Sequence, residues 1–81
     1  ATLVNSTLAN ANLTKASLTG ATCIEASLTF AKLNGCDLSG ANLTAASLHG
    51  ADLTKANLTS AIIKDTIFKF AQFDGTIGYK P

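Results

Sequence analysis

The chain of 81 residues contains no arginine, no tryptophan and no methionine, and only 14% of its residues are charged. Its six lysines are spread along the sequence, and with five acidic residues they leave a net charge of +1. Nucleic-acid-binding proteins usually cluster arginine and lysine on one face. We therefore expect no nucleic-acid partner. The apolar content of 47% also excludes a disordered chain.

Long apolar runs and convergent reactive groups are missing as well. No run approaches the roughly 18 apolar residues of a transmembrane helix, so we predict no membrane span. The acidic residues are scattered, and the single histidine, His49, stands apart from them. Catalysis and metal binding both require such groups to converge in one site. The sequence therefore predicts no enzyme activity, no metal site and no cofactor.

What the sequence does contain is a five-residue repeat. Counted from Ala1, it divides into sixteen pentapeptides, and all eleven leucines stand at the third position of a pentapeptide. Twelve of the fourteen alanines stand at the first position. The other three positions are mostly Asn, Ser, Thr, Asp, Lys or Gly, as in ANLTK and ASLTG over residues 11–20.

This period fits neither an α-helix nor a flat strand. On a helix, successive leucines lie about 140° apart, so no apolar stripe forms. On a strand, an odd step sends alternate leucines to opposite faces. The pattern is satisfied if the chain turns a corner after every five residues, with positions one and three pointing inward and positions four and five forming the bend. Four bends close a square coil of twenty residues, so the sequence predicts an all-β solenoid of about four coils.

The repeated A-[N/D/S]-L-T-x motif resembles the pentapeptide-repeat family, whose described fold is a right-handed quadrilateral β-helix. The resemblance predicts a repeat domain over residues 1–75, followed by a C-terminal tail or cap over 76–81. It implies no common activity. It does imply cyanobacterial or thylakoid relatives, which leaves the bacterial cytoplasm, the periplasm and the thylakoid lumen open as compartments.

Two cysteines, Cys23 and Cys36, fall on inward positions of the same coil. We expect small buried thiols there. A disulfide is the alternative if corners of the coil bring the two Cα atoms within about 7 Å.

Apolar residues replace polar ones on the outside near the C-terminal end. If residues twenty apart stack, these side chains form a hydrophobic strip on two adjoining faces. We call the following five residues the apolar strip: Ile24, Phe30, Ile62, Ile67 and Phe70. Tyr79 joins them as a candidate contact residue. Residues 76–81 either fold back as a cap over the strip and the final coil, or leave the strip free to contact a partner.

These observations favour a non-enzymatic structural or protein-interaction module, which binds an unidentified protein or itself through an outer face or by end stacking. Some members of the family imitate DNA and bind DNA gyrase. That role requires rows of acidic residues, which this sequence lacks. Ice binding through columns of threonine is a third hypothesis, but Asn34, Asp74 and Tyr79 interrupt the columns.

Overall fold

The structure is a computed structural model that describes residues 2–79. This part of the chain contains no helix and no strand longer than one bridged residue. Single parallel bridges join residues that are twenty positions apart, such as Thr2 with Thr22 and Thr22 with Asn42. The chain therefore returns over itself after every four pentapeptides, as the repeat predicts.

The bridges lie at the second position of each pentapeptide and form four columns, one on each face of a β-helix. Face A carries Thr2, Thr22, Asn42 and Ile62; face B carries Thr7, Ser27, Ser47 and Ile67; face C carries Asn12, Lys32, Asp52 and Gln72; face D carries Ser17, Asp37, Asn57 and Ile77. Because a corner follows every five residues, each face offers a single residue to a bridge. The extended segments that the sequence predicts are therefore too short to become regular strands.

Each corner is a tight turn with a left-handed residue at the fifth position. The turn closes when the next pentapeptide donates its first backbone N–H to the third-position carbonyl, as in Ala16 to Leu13 at 3.0 Å. Every fifth residue from Asn5 to Gly75 has a φ between +57° and +69°. A positive φ at the third residue of a four-residue turn is typical of a type II turn. Glycine occupies only some of these corners, so the other residues there adopt an unfavourable conformation.

Side chains at the second position complete many of the turns. The Oδ1 atom of Asn12 accepts hydrogen bonds from the backbone N–H of Thr14 at 3.1 Å and from its hydroxyl at 2.6 Å. The same pair of bonds recurs in four other pentapeptides, at Asp37, Asn42, Asp52 and Asn57. This explains why Asn or Asp precedes Leu-Thr in the repeat: short polar side chains stabilise turns in this way.

Backbone hydrogen bonds join successive coils. The N–H groups of the third and fifth positions donate to the next coil, as in Leu13 to Lys32 and Lys15 to Asn34, both at 2.8 Å. The N–H of the second position donates to the preceding coil, as in Lys32 to Ala11 at 2.8 Å. With the turn bond and the Asn42 side chain, the pentapeptide 41–45 pairs all five of its backbone donors, as buried backbone requires.

The interior is filled with the leucines and alanines of the repeat. The leucines from Leu28 to Leu58 are at most 2% exposed, and the first-position alanines between them are equally buried. Large and small side chains alternate, which is how a narrow core reaches native packing density. Leucines of the first coil and Ile63, Phe68 and Phe73 near the other end are partly buried against this core.

The regular pattern continues to the bridge at Ile77 and then breaks at Gly78. Gly78 has a φ of +81°, and a Cβ there would lie 2.6 Å from the backbone nitrogen of Thr59. The repeat places Tyr79 on the outer column of Thr59, but its ring instead stacks on Phe73 at a centroid distance of 4.1 Å. The chain thus closes over the end of the coil. Residues 80 and 81 of the predicted tail lie outside the described residues, and the boundary at residue 75 stays a prediction.

Two exposed alanines test the strain at the fifth position. Ala45 lies at that position with a φ of +58°, whereas Ala9 lies at the fourth position and is not left-handed. A left-handed alanine costs roughly 1–2 kcal/mol, and glycine costs about 0.5–1 kcal/mol through the entropy of the unfolded chain. We expect Ala45→Gly to raise the free energy of unfolding by about 0.5 kcal/mol or more. Ala9→Gly should lower it. Urea denaturation measures the free energy of unfolding of both variants. Equal losses of stability would contradict the left-handed conformation of Ala45.

Replacement of Gly78 tests the closure of the C-terminal end. Gly78→Ala forces a side chain into the backbone of Thr59, whereas Gly20→Ala adds a Cβ with nothing within 4 Å at a similar positive φ. We expect both variants to lose stability, but only Gly78→Ala should release the ring of Tyr79. Tyr79 is the single tyrosine, so acrylamide quenching of its fluorescence reports on this directly. Identical quenching in the two variants would show that Gly78 does not position the ring.

Candidate interaction surface

Three rings form a column along the corner between faces B and C. The Phe30 and His49 rings meet edge to face at a centroid distance of 5.4 Å, and His49 meets Phe70 in the same way at 5.4 Å. We call Phe30, His49 and Phe70 the aromatic ladder. Phe30 is 56% exposed and Phe70 is 73% exposed, so the ladder presents its two phenylalanine rings to solvent, with the half-buried His49 between them.

Gly50 makes room for the ladder. It occupies the fifth position between Phe30 and Phe70, and a Cβ at this residue would lie 2.5 Å from Cε1 of Phe30. The Phe30 ring therefore lies across the backbone of the next coil. The sequence predicts Gly50 only as a turn residue. Its second role could have been inferred from the sequence. Phe30, Gly50 and Phe70 are twenty residues apart and therefore stack in one column, with the glycine between the two phenylalanines.

Two of the three isoleucines of the apolar strip lie on neighbouring faces of the last coil. Ile62 is on face A and Ile67 is on face B, and each is 50% exposed. Ile24 is half-buried in the turn between these faces. The structure thus brings Ile67 and Phe70 together on face B and its corner, with Ile62 on the next face. That this strip contacts a partner stays a prediction.

Tyr79 and Ile77 do not join the strip. The Tyr79 ring lies over the end of the coil, between Phe73 and Phe68, and is half-buried there. Residues up to Tyr79 therefore cover the end and leave Phe30, Ile62, Ile67 and Phe70 exposed. Ile77 is also exposed, but it lies on face D, away from the ladder.

Charges on this side of the molecule lie at the corners, with Glu25, Lys64 and Asp65 on the corner between faces A and B. The bridge columns of faces A and B contain no charged residue. On the ladder corner, Lys69 places its Nζ 5.4 Å from the centroid of the Phe70 ring, within reach of a cation–π interaction. Beside the ladder, the hydroxyls of Ser27 and Thr29 lie 3.2 Å apart, and Thr29 lies 3.3 Å from Ser47. The two faces and the ladder corner are therefore mainly apolar and hydroxylic.

The carboxylates on faces C and D are engaged in turns. The hydroxyl and N–H of Ser39 bond to Asp37 and lower the pKa of its carboxyl. The Thr54 hydroxyl, the Asn34 amide and the Thr54 N–H lower the pKa of Asp52 in the same way. The threonine hydroxyls at the fourth positions beside faces C and D are likewise occupied, as in Thr54 and Thr59, which donate to Asp52 and Asn57. Turn formation thus accounts for these polar residues.

Residues 2–79 show a convex surface without an enclosed pocket and without a cluster of three or more metal-ligating side chains. No helix in this part of the chain is long or apolar enough to cross a bilayer. The described residues therefore offer a ligand an open surface and no enclosed site.

Both cysteines are free and fully buried. Burial raises the pKa of Cys36 to about 11, with smaller contributions from the Asp37 carboxylate and Cys23. Burial also raises the pKa of Cys23. A thiol that stays protonated is a poor nucleophile. Of the two alternatives that the sequence leaves open, the structure shows the buried thiols.

Leucine and alanine side chains fill the interior, and the chain completes one coil in twenty residues. These features define a β-solenoid repeat protein. The sequence matches the family Pentapeptide repeats (8 copies) over residues 1–29, 23–59 and 41–77. The chain belongs to this pentapeptide-repeat family. No curated protein matches it.

Solved structures of pentapeptide-repeat proteins resemble the chain. A protein from the thylakoid lumen of Arabidopsis thaliana is 37% identical over 93% of this chain, with a TM-score of 0.83. A protein from the cyanobacterium Nostoc is 31% identical over 93% of this chain, with a TM-score of 0.91. HetL from Nostoc, which is involved in the regulation of heterocyst differentiation, is 32% identical over 99% of this chain, with a TM-score of 0.55.

The chain spans 56%, 62% and 43% of the length of these three relatives. Their likeness implies that the β-helix is right-handed.

The buried thiol of Cys36 gives stability a specific pH dependence. In the unfolded chain this thiol ionises near pH 9.0, whereas in the folded protein it stays protonated up to about pH 11. Because the folded state then binds the extra proton, the free energy of unfolding should fall as the pH rises from 9 to 11. Urea denaturation under reducing conditions measures this loss. Cys36→Ala should lose less stability over the same window, and parallel pH curves would contradict the prediction.

Proposed function

We propose that this chain is a rigid, non-enzymatic scaffold of four coils, which binds a protein partner or a second copy through an outer face or an end. The observation that carries the proposal is the aromatic ladder, with its two exposed phenylalanines beside Ile67. Aromatic side chains are enriched at the centres of protein interfaces, where they supply most of the binding energy.

The conformation of the phenylalanines supports a contact role. Phe30 and Phe70 have φ values of +57° and +63°, in a region that is unfavourable for bulky residues. Glycine occupies several equivalent corners, so the turn does not require an aromatic residue. Phe70 gains little burial within the chain, since it is 73% exposed. A partner that covers the ring would supply the missing stabilisation.

The isoleucines on faces A and B support the same role. At five other second positions, Asn or Asp accepts the fourth-position N–H and hydroxyl, and each such hydrogen bond contributes about 1 kcal/mol. Ile62 and Ile67 have no side-chain acceptor for this bond. They also expose apolar surface to water, which is unfavourable. Within the described chain they therefore stabilise the turn less than Asn or Asp does at this position.

The size of the molecule limits how a partner binds. Its principal dimensions are 27, 23 and 23 Å, so a single face offers less than the roughly 800 Å² that each side of a standard protein interface buries. The strip extends from face A across face B to the ladder corner. A stable partner would cover this whole side, whereas a ligand of one face alone would bind weakly.

The relatives are consistent with a binding role in a photosynthetic cell. One comes from a thylakoid lumen, and HetL is involved in the regulation of differentiation. We extend to this chain only the interpretation that the exposed side chains bind a partner. No observation favours gyrase binding by DNA mimicry or ice binding, because turns occupy Asp37, Asp52 and the threonine hydroxyls that those roles need.

Removal of the two phenylalanines tests the proposal. The double variant Phe30→Ala and Phe70→Ala should lose self-association in sedimentation velocity and lose capture of its partner in pull-downs from a photosynthetic cell extract. Ile77→Ala is the matched control, because Ile77 is 58% exposed on face D and should leave both unchanged. Thermal melts confirm that the variants fold. Unchanged association in the double variant, or equal loss in the control, would contradict a role for the ladder.

A further inference from the structure

Two dipeptides on the corner between faces C and D have the chemistry for internal cyclisation. Asn34–Gly35 and Asp74–Gly75 occupy the fourth and fifth positions of pentapeptides that are forty residues apart in the same column. In such dipeptides the glycine nitrogen attacks Cγ of the preceding residue, and a five-membered succinimide forms. Glycine favours the reaction because it has no side chain that would hinder the approach.

The peptide unit of Asn34–Gly35 is held at both ends. The Asn34 carbonyl accepts from the N–H of Lys15 at 2.8 Å, and the Gly35 N–H donates to the carbonyl of Thr54 at 2.9 Å. Asn34 is half-buried, and its amide also helps to lower the pKa of Asp52. For the Gly35 nitrogen to reach Asn34 Cγ, the peptide unit must rotate. Both bonds between coils must then break.

The peptide unit of Asp74–Gly75 is held at one end. The Asp74 carbonyl accepts from the N–H of Lys55 at 2.8 Å, but within residues 2–79 the Gly75 N–H has no acceptor. Asp74 is exposed. The surroundings otherwise match: a Cβ on Gly35 would lie 3.5 Å from Cγ of Lys15, and one on Gly75 would lie 3.3 Å from Cγ of Lys55. Within the described residues, the two sites therefore differ mainly in whether a following coil accepts the glycine N–H.

We propose that Asp74–Gly75 forms succinimide and isoaspartate spontaneously in the folded protein, whereas the fold protects Asn34–Gly35. At Asp74, the Gly75 nitrogen loses its proton and bonds to Cγ of the protonated carboxyl, whose C–OH bond breaks to release water. Water then opens the ring at either carbonyl and gives aspartate or isoaspartate, with no net change in mass. At Asn34, ammonia leaves in place of water, and hydrolysis gives a product of higher mass.

The fold thereby reverses the intrinsic order of reactivity. In a flexible chain the asparagine site reacts faster, because at neutral pH the aspartate carboxyl is ionised and must be protonated before its oxygen can leave. In the folded protein Asn34–Gly35, whose peptide unit is held at both ends, stays intact, and the exposed Asp74–Gly75 reacts. Isoaspartate adds a methylene group to the main chain and so disrupts the turn at the fifth position in the last coil.

The variant Asp74→Asn tests the role of position alone, because it creates two Asn–Gly dipeptides on one corner. Native and urea-denatured samples are incubated at neutral pH, and peptide mapping by mass spectrometry follows the mass gain at residues 34 and 74. In the native variant, we expect deamidation at residue 74 and none at residue 34. In urea the two rates should become equal.

The wild-type protein provides an independent measurement that needs no substitution. Labelling by an isoaspartyl methyltransferase should accumulate at Asp74 in the native protein, and at both sites after denaturation. Circular dichroism and Tyr79 fluorescence verify that the variant is folded. Equal rates at the two sites of the native variant, or native wild-type protein without isoaspartate at Asp74, would overturn the proposal.

Discussion

The left-handed residue at every fifth position is the constraint on which the rest of the structure depends. Each φ near +60° lets the chain turn a corner within two residues, so that the next leucine again points inward. Residues such as Glu25 and Ala45 adopt this conformation at an energetic cost that glycine avoids. Bonds between coils offset the cost, because the left-handed residue itself donates its N–H to the next coil, as Glu25 does to Thr44 at 2.9 Å.

The path of the chain can be predicted from the sequence, because it follows from the five-residue period and from the sizes of the inward side chains alone. Leucine at the third position and alanine at the first position of most pentapeptides admit one arrangement in which both are buried, and the structure confirms it for Leu28 and Ala31. The use of Asn12 and similar residues as turn acceptors could also have been deduced, since Asx turns span two residues. Such local features depend only on neighbours in the sequence.

Contacts between coils are harder to predict, because they depend on the direction of each side chain. The sequence places Phe30 and Phe70 in one column, but not the His49 ring between them, which belongs to the adjacent fourth-position column. Tyr79 deviates for a related reason. Gly78 replaces the leucine expected at the third position, so the chain can cross the end of the coil and bring the Tyr79 ring onto Phe73.

The turn also determines which surface positions are free to carry a function. Where Asn or Asp caps a turn, as at Asn42 and Asp52, the side chain is engaged in the fold and offers a partner little. The fifth position points outward and bonds through its backbone only, so it accepts any side chain that tolerates a positive φ. The exposed phenylalanines lie at such positions, and Ile62 and Ile67 stand where no cap forms. Recognition in this β-helix is thus expected at corners and uncapped positions, whereas the capped positions maintain the coil.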